Sequence, residues 1–144
     1  MTKIPEMNAL VAQEDELTPR LMILRVVADQ WQLPHFEAGQ YVVLGLPPDA
    51  PRCPLSQREH EPPRDDKLIR RAYSIASSSL SGEYMDFYIS LVSDGALTPR
   101  LFNLSVGDKL WLSAHPVGVF TLGHVPQAKH IVPVSYTHLR AHET

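Results

Sequence analysis

The stretch Tyr-Met-Asp-Phe-Tyr-Ile-Ser-Leu-Val at residues 84–92 decides the fold class, because apolar and polar side chains alternate along it. Met85, Phe87, Ile89 and Leu91 share one side of an extended chain, and a period of two indicates a β-strand with one buried face. The opposite side is polar yet still aromatic at Tyr88, which suits a surface that faces a ligand. The stretch therefore predicts a half-buried strand next to a binding site.

Further short apolar runs flank this strand and are separated by turn residues. The predicted strands are Asn8–Glu14, which ends in an acidic turn at 15–16, then Leu21–Ala28, Gln40–Leu46, Arg71–Ser77, Asp108–Ser113 and Val119–Leu122. A brief helix is expected to begin at Thr98, with Thr98 as N-cap, Pro99 in the first helical position and Gly107 as its end. Short strands at this spacing predict a mainly β protein, a closed antiparallel barrel of six to seven strands.

Length and composition exclude several classes of protein. The chain has 144 residues, which suits one domain, and its formal charge of −3 without a run of Lys or Arg argues against nucleic-acid binding. The single cysteine, Cys53, allows no intrachain disulfide and indicates a reducing compartment. We find no signal peptide, no apolar run long enough for a membrane span and no metal-binding pattern, so the cytoplasm is expected.

The segment Pro47–Lys67 is rich in proline and charge. Proline fixes φ and lacks a donor N–H, so the segment cannot be a central strand or a helix interior. We interpret it as a long surface excursion. A solvated insertion is favoured over a segment that contacts a ligand or a partner, although loops of this length tend to be functional or mobile.

The stretch Arg71-Ala72-Tyr73-Ser74 carries the strongest chemical signal. Arg71 offers a bidentate donor fork for a pyrophosphate, and Tyr73 offers a flat ring for an isoalloxazine. Ser74 offers a hydroxyl and an amide near the redox-active atoms of a flavin. Arg71 and Tyr73 share a strand face, whereas Ser74 points away from it. Alone, the same string also fits a surface arginine beside a half-buried tyrosine.

A second signal lies at residues 95–101, Gly-Ala-Leu-Thr-Pro-Arg-Leu. The first turn of a helix leaves amides unpaired and carries partial positive charge, which favours an anion there. Ala96, Leu97 and Thr98 would then contact a phosphate. Ordinary helix capping explains the same residues without a ligand.

Taken in order, these motifs resemble the FAD-binding domain of the ferredoxin–NADP⁺ reductase family, especially its bacterial type. Other motifs agree with the resemblance: Phe36–Tyr41, Val106–Leu110, and Pro116–Gly118 followed by Phe120. The resemblance implies a Greek-key barrel with catalytic roles for Tyr73 and Ser74. It also implies that FAD is bound by Arg71, Ala72, Tyr73, Ser74, Tyr88, Ile89, Ser90, Leu91, Ala96, Leu97 and Thr98.

The same resemblance implies a function and a domain plan. The expected activity passes electrons between NADPH and ferredoxin or flavodoxin through FAD, with the protein a monomer. Residues 1–129 would form the FAD-binding barrel, 130–134 the start of an NADP-binding half that does not continue, and 135–144 a non-native tail. This chain alone is then expected to be inactive.

Two other hypotheses remain open at the level of sequence. The chain could be a stand-alone flavin-binding barrel, or the reductase component of another electron-transfer system such as an oxygenase. It could also be a cofactor-free barrel that binds a partner through residues 47–67.

Overall fold

The computed structural model describes residues 4–59 and 61–118, which form six strands and one short helix. The elements are β1 (Ala9–Thr18), β2 (Leu21–Ala28), β3 (Tyr41–Leu46), β4 (Ile69–Ser74), β5 (Met85–Ser90), α1 (Thr98–Leu101) and β6 (Lys109–Leu112). The predicted strand at 119–122 and the segments at 130–144 lie outside the described residues, as does Phe120. The mainly β class is confirmed.

The acidic turn predicted at Asp15–Glu16 is wrong. Both residues continue β1, where they pair with Ile23 and Met22 of β2. The turn lies three residues later and is closed by the Thr18 hydroxyl, which accepts a hydrogen bond from the Arg20 amide at 3.1 Å. Pairing with a long partner strand therefore outweighs the preference of consecutive carboxylates for a turn.

The six strands of the described residues follow the order β4-β3-β6-β1-β2-β5, and every pairing is antiparallel. Strand β6 lies between β1 and β3, the non-sequential arrangement of a Greek key. The Asn8 side chain, just before β1, joins β1 to β6. Its amide donates to the Leu112 carbonyl at 2.9 Å, and its oxygen accepts from the Leu112 amide at 2.8 Å.

The two outer strands of this order meet and close the barrel. The Ala76 amide, just after β4, donates to the Asp86 carbonyl of β5 at 2.7 Å. The Asp86 amide in turn donates to the Ser77 hydroxyl at 3.0 Å. These two bonds join the first and last strands of the sheet, which leaves no long open edge between them.

The core lies inside this closed sheet. The alternation predicted for residues 84–92 is confirmed, because Met85, Phe87 and Ile89 are fully buried whereas Tyr88 is 43% exposed. Strand β2 buries alternate residues in the same way, at Met22, Leu24 and Val26.

Helix α1 is shorter than predicted and differently capped. Its N-cap is Leu97, which makes no side-chain capping bond, and Pro99 is the second helical residue. Thr98 is not the N-cap because its hydroxyl bonds the backbone of Val92 instead. The helix ends at Leu101, not near Gly107, since the amides of 103 and 104 turn back to carbonyls three residues earlier. No helix in the described part of the chain is long enough to cross a membrane.

Candidate functional site

The two sequence signals meet at one open cleft of about 370 Å³. Arg71 of β4 and Ala96, just before α1, both line it. They line one cleft although 25 residues separate them (96 − 71), because the fold returns the segment that leads into α1 to the β4 side of this cleft. A cleft of this volume falls within the range typical of small-molecule sites.

The Arg71 guanidinium has a hydrogen-bond donor in this cleft that no described residue accepts from. Its Nη1 donates to the Arg70 carbonyl at 2.7 Å, while its Nε is buried and finds no hydrogen-bond partner within residues 4–59 and 61–118. A buried N–H without an acceptor is costly, so such a group indicates a missing ligand or water. A phosphate oxygen would satisfy it, and the guanidinium fork matches that acceptor in shape and charge.

Tyr73 and Ser74 lie farther along β4, on opposite faces. Tyr73 pairs with Val42, shares the face of Arg71, and is only 4% exposed within the core. Ser74 lies on the other face and is half-buried, as the strand period predicts. Neither residue lines the cleft that holds Arg71. In this conformation the Tyr73 ring presents almost no free surface on which a flat ligand could stack.

Strand β5 presents a mixed surface. Tyr88 is exposed, whereas the Ser90 hydroxyl is buried and has no hydrogen-bond partner among the described residues. Ile89 and Leu91 are buried side chains of the core face, so they could contact a ligand only through their backbone. Ser90 thus joins Arg71 and Arg52 as a residue with a buried polar atom that has no hydrogen-bond partner among the described residues.

The residues at the start of α1 offer little side chain to a ligand. Leu97 and Thr98 are completely buried, and only Ala96 reaches the cleft. The Thr98 hydroxyl accepts a bond from the Val92 amide at 2.9 Å and donates to the Val92 carbonyl at 3.2 Å. That hydroxyl therefore holds α1 to the end of β5, and any phosphate contact here would use backbone amides.

Sequence reasoning missed Arg100, which is 4% exposed and saturated with hydrogen bonds. Its guanidinium donates to the carbonyls of Pro48, Ala50 and Ala96 at 3.0, 3.0 and 2.7 Å. It also forms a two-pronged pair with the Glu59 carboxylate, at 2.8 and 3.3 Å. The signal in the sequence was its place between Leu97 and Leu101, on the buried side of a short helix.

A second arginine completes the attachment of residues 48–59. Arg52 donates to the carbonyls of Gly95 and Gln57 at 2.8 Å and of Ser93 at 3.2 Å, and it lies 3.5 Å from Glu59. The solvated insertion expected for residues 47–67 is therefore wrong for this first part, because the buried Arg100 and the partly buried Arg52 fasten it to α1 and to the segment before α1. We call residues 48–59 the strap.

Contact with Arg100 changes the acidity of Glu59, the carboxylate at the end of the strap. The hydrogen bonds from Arg100 lower the pKa of Glu59 below its ordinary value of 4.5, and the charges of Arg100 and Arg52 act in the same direction. Partial burial opposes them without reversing the shift. Glu59 is thus held as an anion between two cations, and the strap remains fastened at neutral pH.

Solved structures of proteins with bound FAD share this fold. A ferredoxin–NADP⁺ reductase from Neisseria gonorrhoeae with bound FAD and NADP superposes with a TM-score of 0.57 at 20% identity, over 78% of this chain and 38% of that one. A flavohemoglobin from Malassezia yamatoensis with bound FAD and heme gives 0.66 at 17% identity, over 84% and 27%. The described barrel therefore has the fold of the FAD-binding barrels of reductases.

Comparison of sequences shows which proteins are relatives of the chain. A ferredoxin–NADP reductase of Azotobacter vinelandii is 33% identical over 100 residues, which are 69% of this chain and 32% of that protein. A flavodoxin/ferredoxin–NADP reductase of Buchnera aphidicola is 30% identical over 125 residues, 87% of this chain and 44% of that protein. No protein-family model matches. The chain is a relative of the ferredoxin–NADP⁺ reductases and spans less than half the length of these relatives.

Proposed function

We propose that this chain is the FAD-holding part of a ferredoxin or flavodoxin–NADP⁺ reductase. One observation carries the proposal: the unpartnered Nε of Arg71 in the cleft that Ala96 also lines. A guanidinium with a free donor beside a helix start suits a pyrophosphate better than it suits any apolar ligand. Kinship with reductases supports the same cofactor.

Different residues of the chain would bind different groups of FAD. Arg71 holds the pyrophosphate, and the backbone at Ala96, Leu97 and Thr98 completes the anion site. When bound, the flavin supplies hydride acceptance from NADPH and one-electron exchange with the protein partner. In this proposal the polypeptide positions the ring and limits its contact with water.

The catalytic roles fall to β4, with β5 beside the cofactor. Ser74, half-buried at the end of β4, would donate a hydrogen bond to the ring. Tyr73 would stack on the ring, which requires its buried face to be uncovered when FAD binds. Tyr88, Ile89, Ser90 and Leu91 would line the cofactor, and the unpartnered Ser90 hydroxyl supports this placement. Ala72, between Arg71 and Tyr73, contributes backbone.

The wider setting is part of the same proposal. Ferredoxin or flavodoxin is the electron partner, NADP(H) the second substrate, and the cytoplasm the compartment that a single cysteine favours. We assign the barrel within residues 1–129 as the FAD-binding domain and the protein as a monomer.

Titration of FAD with the purified chain tests the proposal. We expect a yellow complex with quenched flavin fluorescence at micromolar FAD. Arg71→Gln should weaken binding about tenfold or more, because a charge-assisted hydrogen bond contributes about 1.5–3 kcal/mol. Arg20→Gln, which removes an exposed arginine from the β1–β2 turn, is the matched control and should bind like the wild type.

Two results would contradict the assignment. If a folded wild-type chain leaves FAD fluorescence unchanged, the chain does not bind FAD and the assignment of the cofactor is wrong. Equal weakening by Arg71→Gln and Arg20→Gln would show that net charge, and not the cleft, governs binding.

A further inference from the structure

Every charged residue that lines the cleft of Arg71 is a cation. The others are Arg64, Lys67 and Arg70, and no carboxylate of the described residues shares the lining. Lys67, Arg70 and Arg71 form no ion pair with any described residue. Like charges collected without counter-charges repel one another, so the cleft is stabilised when an anion enters it.

Arg64 is the partly neutralised member of this group. Its Nε and Nη2 bond the carboxylate of Asp66 at 3.1 and 2.8 Å, and its side chain is 69% exposed. Its Nη1 stays available to a ligand. Lys67 and Arg64 belong to residues 63–68, the part of the proline-rich segment that follows the strap and leads directly into β4.

The order of these residues along the chain matches the order of groups in FAD. Tyr73 and Ser74, assigned to the isoalloxazine ring, end β4, and Arg71, assigned to the pyrophosphate, lies two residues earlier. Lys67 precedes Arg71 by four residues, or up to about 13 Å of extended chain. A dinucleotide laid along β4 from its ring end therefore places its adenylate half beside residues 63–68.

A second cleft at Ala96 would not accept this half. It is lined by Arg58, Glu59, Glu61, Asp94 and Ala96, and has a volume of about 350 Å³. Three carboxylates and one arginine form its charged lining, so it repels phosphate. Of these two clefts at Ala96, only the cationic one that contains Lys67 attracts the phosphate of the adenylate half.

We infer that Lys67, assisted by Arg64, binds the adenylate-side phosphate of FAD and makes the barrel selective for FAD over FMN. The inference rests on the proposed function and adds a determinant of selectivity to it. FMN has only the phosphate next to the ribityl chain, which Arg71 reaches, so it gains nothing from residues 63–68. FAD and free ADP share the second phosphate, and both should respond to Lys67.

The test compares three ligands with two double variants. Arg64→Gln with Lys67→Gln removes the two cations, and Arg20→Gln with Lys109→Gln removes two exposed cations outside the cleft. Dissociation constants for FAD and FMN come from flavin fluorescence, and that for ADP from displacement of FAD. For the cleft variant we expect about tenfold weaker FAD, similarly weaker ADP, and FMN within about twofold of wild type. The control variant should leave all three unchanged.

The outcomes separate this inference from the function on which it rests. Unchanged FAD affinity in the cleft variant, or equal losses for FAD and FMN, would overturn the role of Lys67 and Arg64 while flavin binding stands. Equal losses in both double variants would also overturn it, because net charge would then be the cause. A wild-type chain that binds neither flavin would overturn the proposed function and this inference together.

Discussion

At the scale of single residues, Arg100 is a buried cation whose hydrogen-bond donors are all satisfied. All five of its N–H groups are used, two on Glu59 and three on backbone carbonyls. Such a buried cation is tolerated because its charge is paired and its donors are satisfied. Arg100 therefore links the strap to α1, beside the Cys53 amide, which donates to the Pro99 carbonyl at 2.9 Å. Glu59 is the part of the Arg100 contact that titrates.

Glu59→Gln should make the strap insensitive to acid. Because the pKa of Glu59 is lowered on folding, its contribution is fully present above its ordinary value of 4.5 and is lost as pH falls through the lowered value. We expect the variant to be about 1–2 kcal/mol less stable than wild type at pH 7, since it loses charge-assisted hydrogen bonds. The difference should shrink as the pH falls below 4.5 and the carboxylate becomes protonated, as measured by urea unfolding at several pH values.

Asp66→Asn is the matched control for this experiment. Asp66 also bonds an arginine, Arg64, but on the surface, where such pairs contribute little. At pH 7 the free energy of unfolding of Asp66→Asn should match that of the wild type within the error of the measurement. A difference between Glu59→Gln and wild type that does not change with pH would contradict the role given to the carboxylate.

At the scale of elements, β5 shows how one strand serves two purposes. Its inner residues fill the barrel, and its outer residues are half-buried or exposed and include Tyr88 and Ser90. Strand β4 follows the same rule less strictly, because Arg71 lies on the face of Tyr73 and still reaches an open cleft. A charged residue can occupy this inner face only near the rim, where the cleft admits water or a ligand.

Neighbouring aromatic residues of β5 should differ sharply in their effect on stability. Phe87→Ala removes a fully buried ring and should cost about 3–5 kcal/mol in the free energy of unfolding. Tyr88→Ala, one residue later on the exposed face, should cost less than about 1 kcal/mol. Chemical denaturation of both variants measures the difference, and similar losses would mean that β5 does not have one inner face.

At the scale of the whole molecule, closure between β4 and β5 turns a sheet into a barrel. It depends on few bonds, chiefly the Ala76 amide on the Asp86 carbonyl and the Asp86 amide on the Ser77 hydroxyl. Because the closure is short, the segment after β4 should open more readily than the long β1–β2 hairpin, which pairs eight residues of each strand. This segment follows Tyr73 and Ser74 directly, so such opening bears on access to both.

Ser77→Ala should weaken the closure without unfolding the barrel. The Asp86 amide loses its acceptor, so we expect faster hydrogen exchange at Asp86 and a loss of about 1 kcal/mol in global stability. Ser78→Ala is the control, because the Ser78 hydroxyl only accepts a bond from the Leu80 amide in the exposed loop. Unchanged exchange at Asp86 in Ser77→Ala would show that the closure does not depend on this bond.

The sequence by itself determined the approximate positions of the strands and the fold class of this protein, although β1 and β4 have other bounds than predicted. Alternation at 84–92 and the apolar run at 21–28 specify faces locally, because each side chain's face depends only on its position along an extended backbone. The family likeness was equally readable, since it rests on short motifs such as residues 71–74.

Only the tertiary structure decided how separate segments share their polar groups. The Thr98 hydroxyl was expected at a helix cap but bonds Val92, and Glu59 reaches Arg100 across 41 residues. The cleft between Arg71 and Ala96 exists because the chain returns to β4 after β5 and the turn that follows it. The physical reason is that a hydrogen bond or ion pair depends on distances that folding sets between remote residues, and local periodicity carries no information about them.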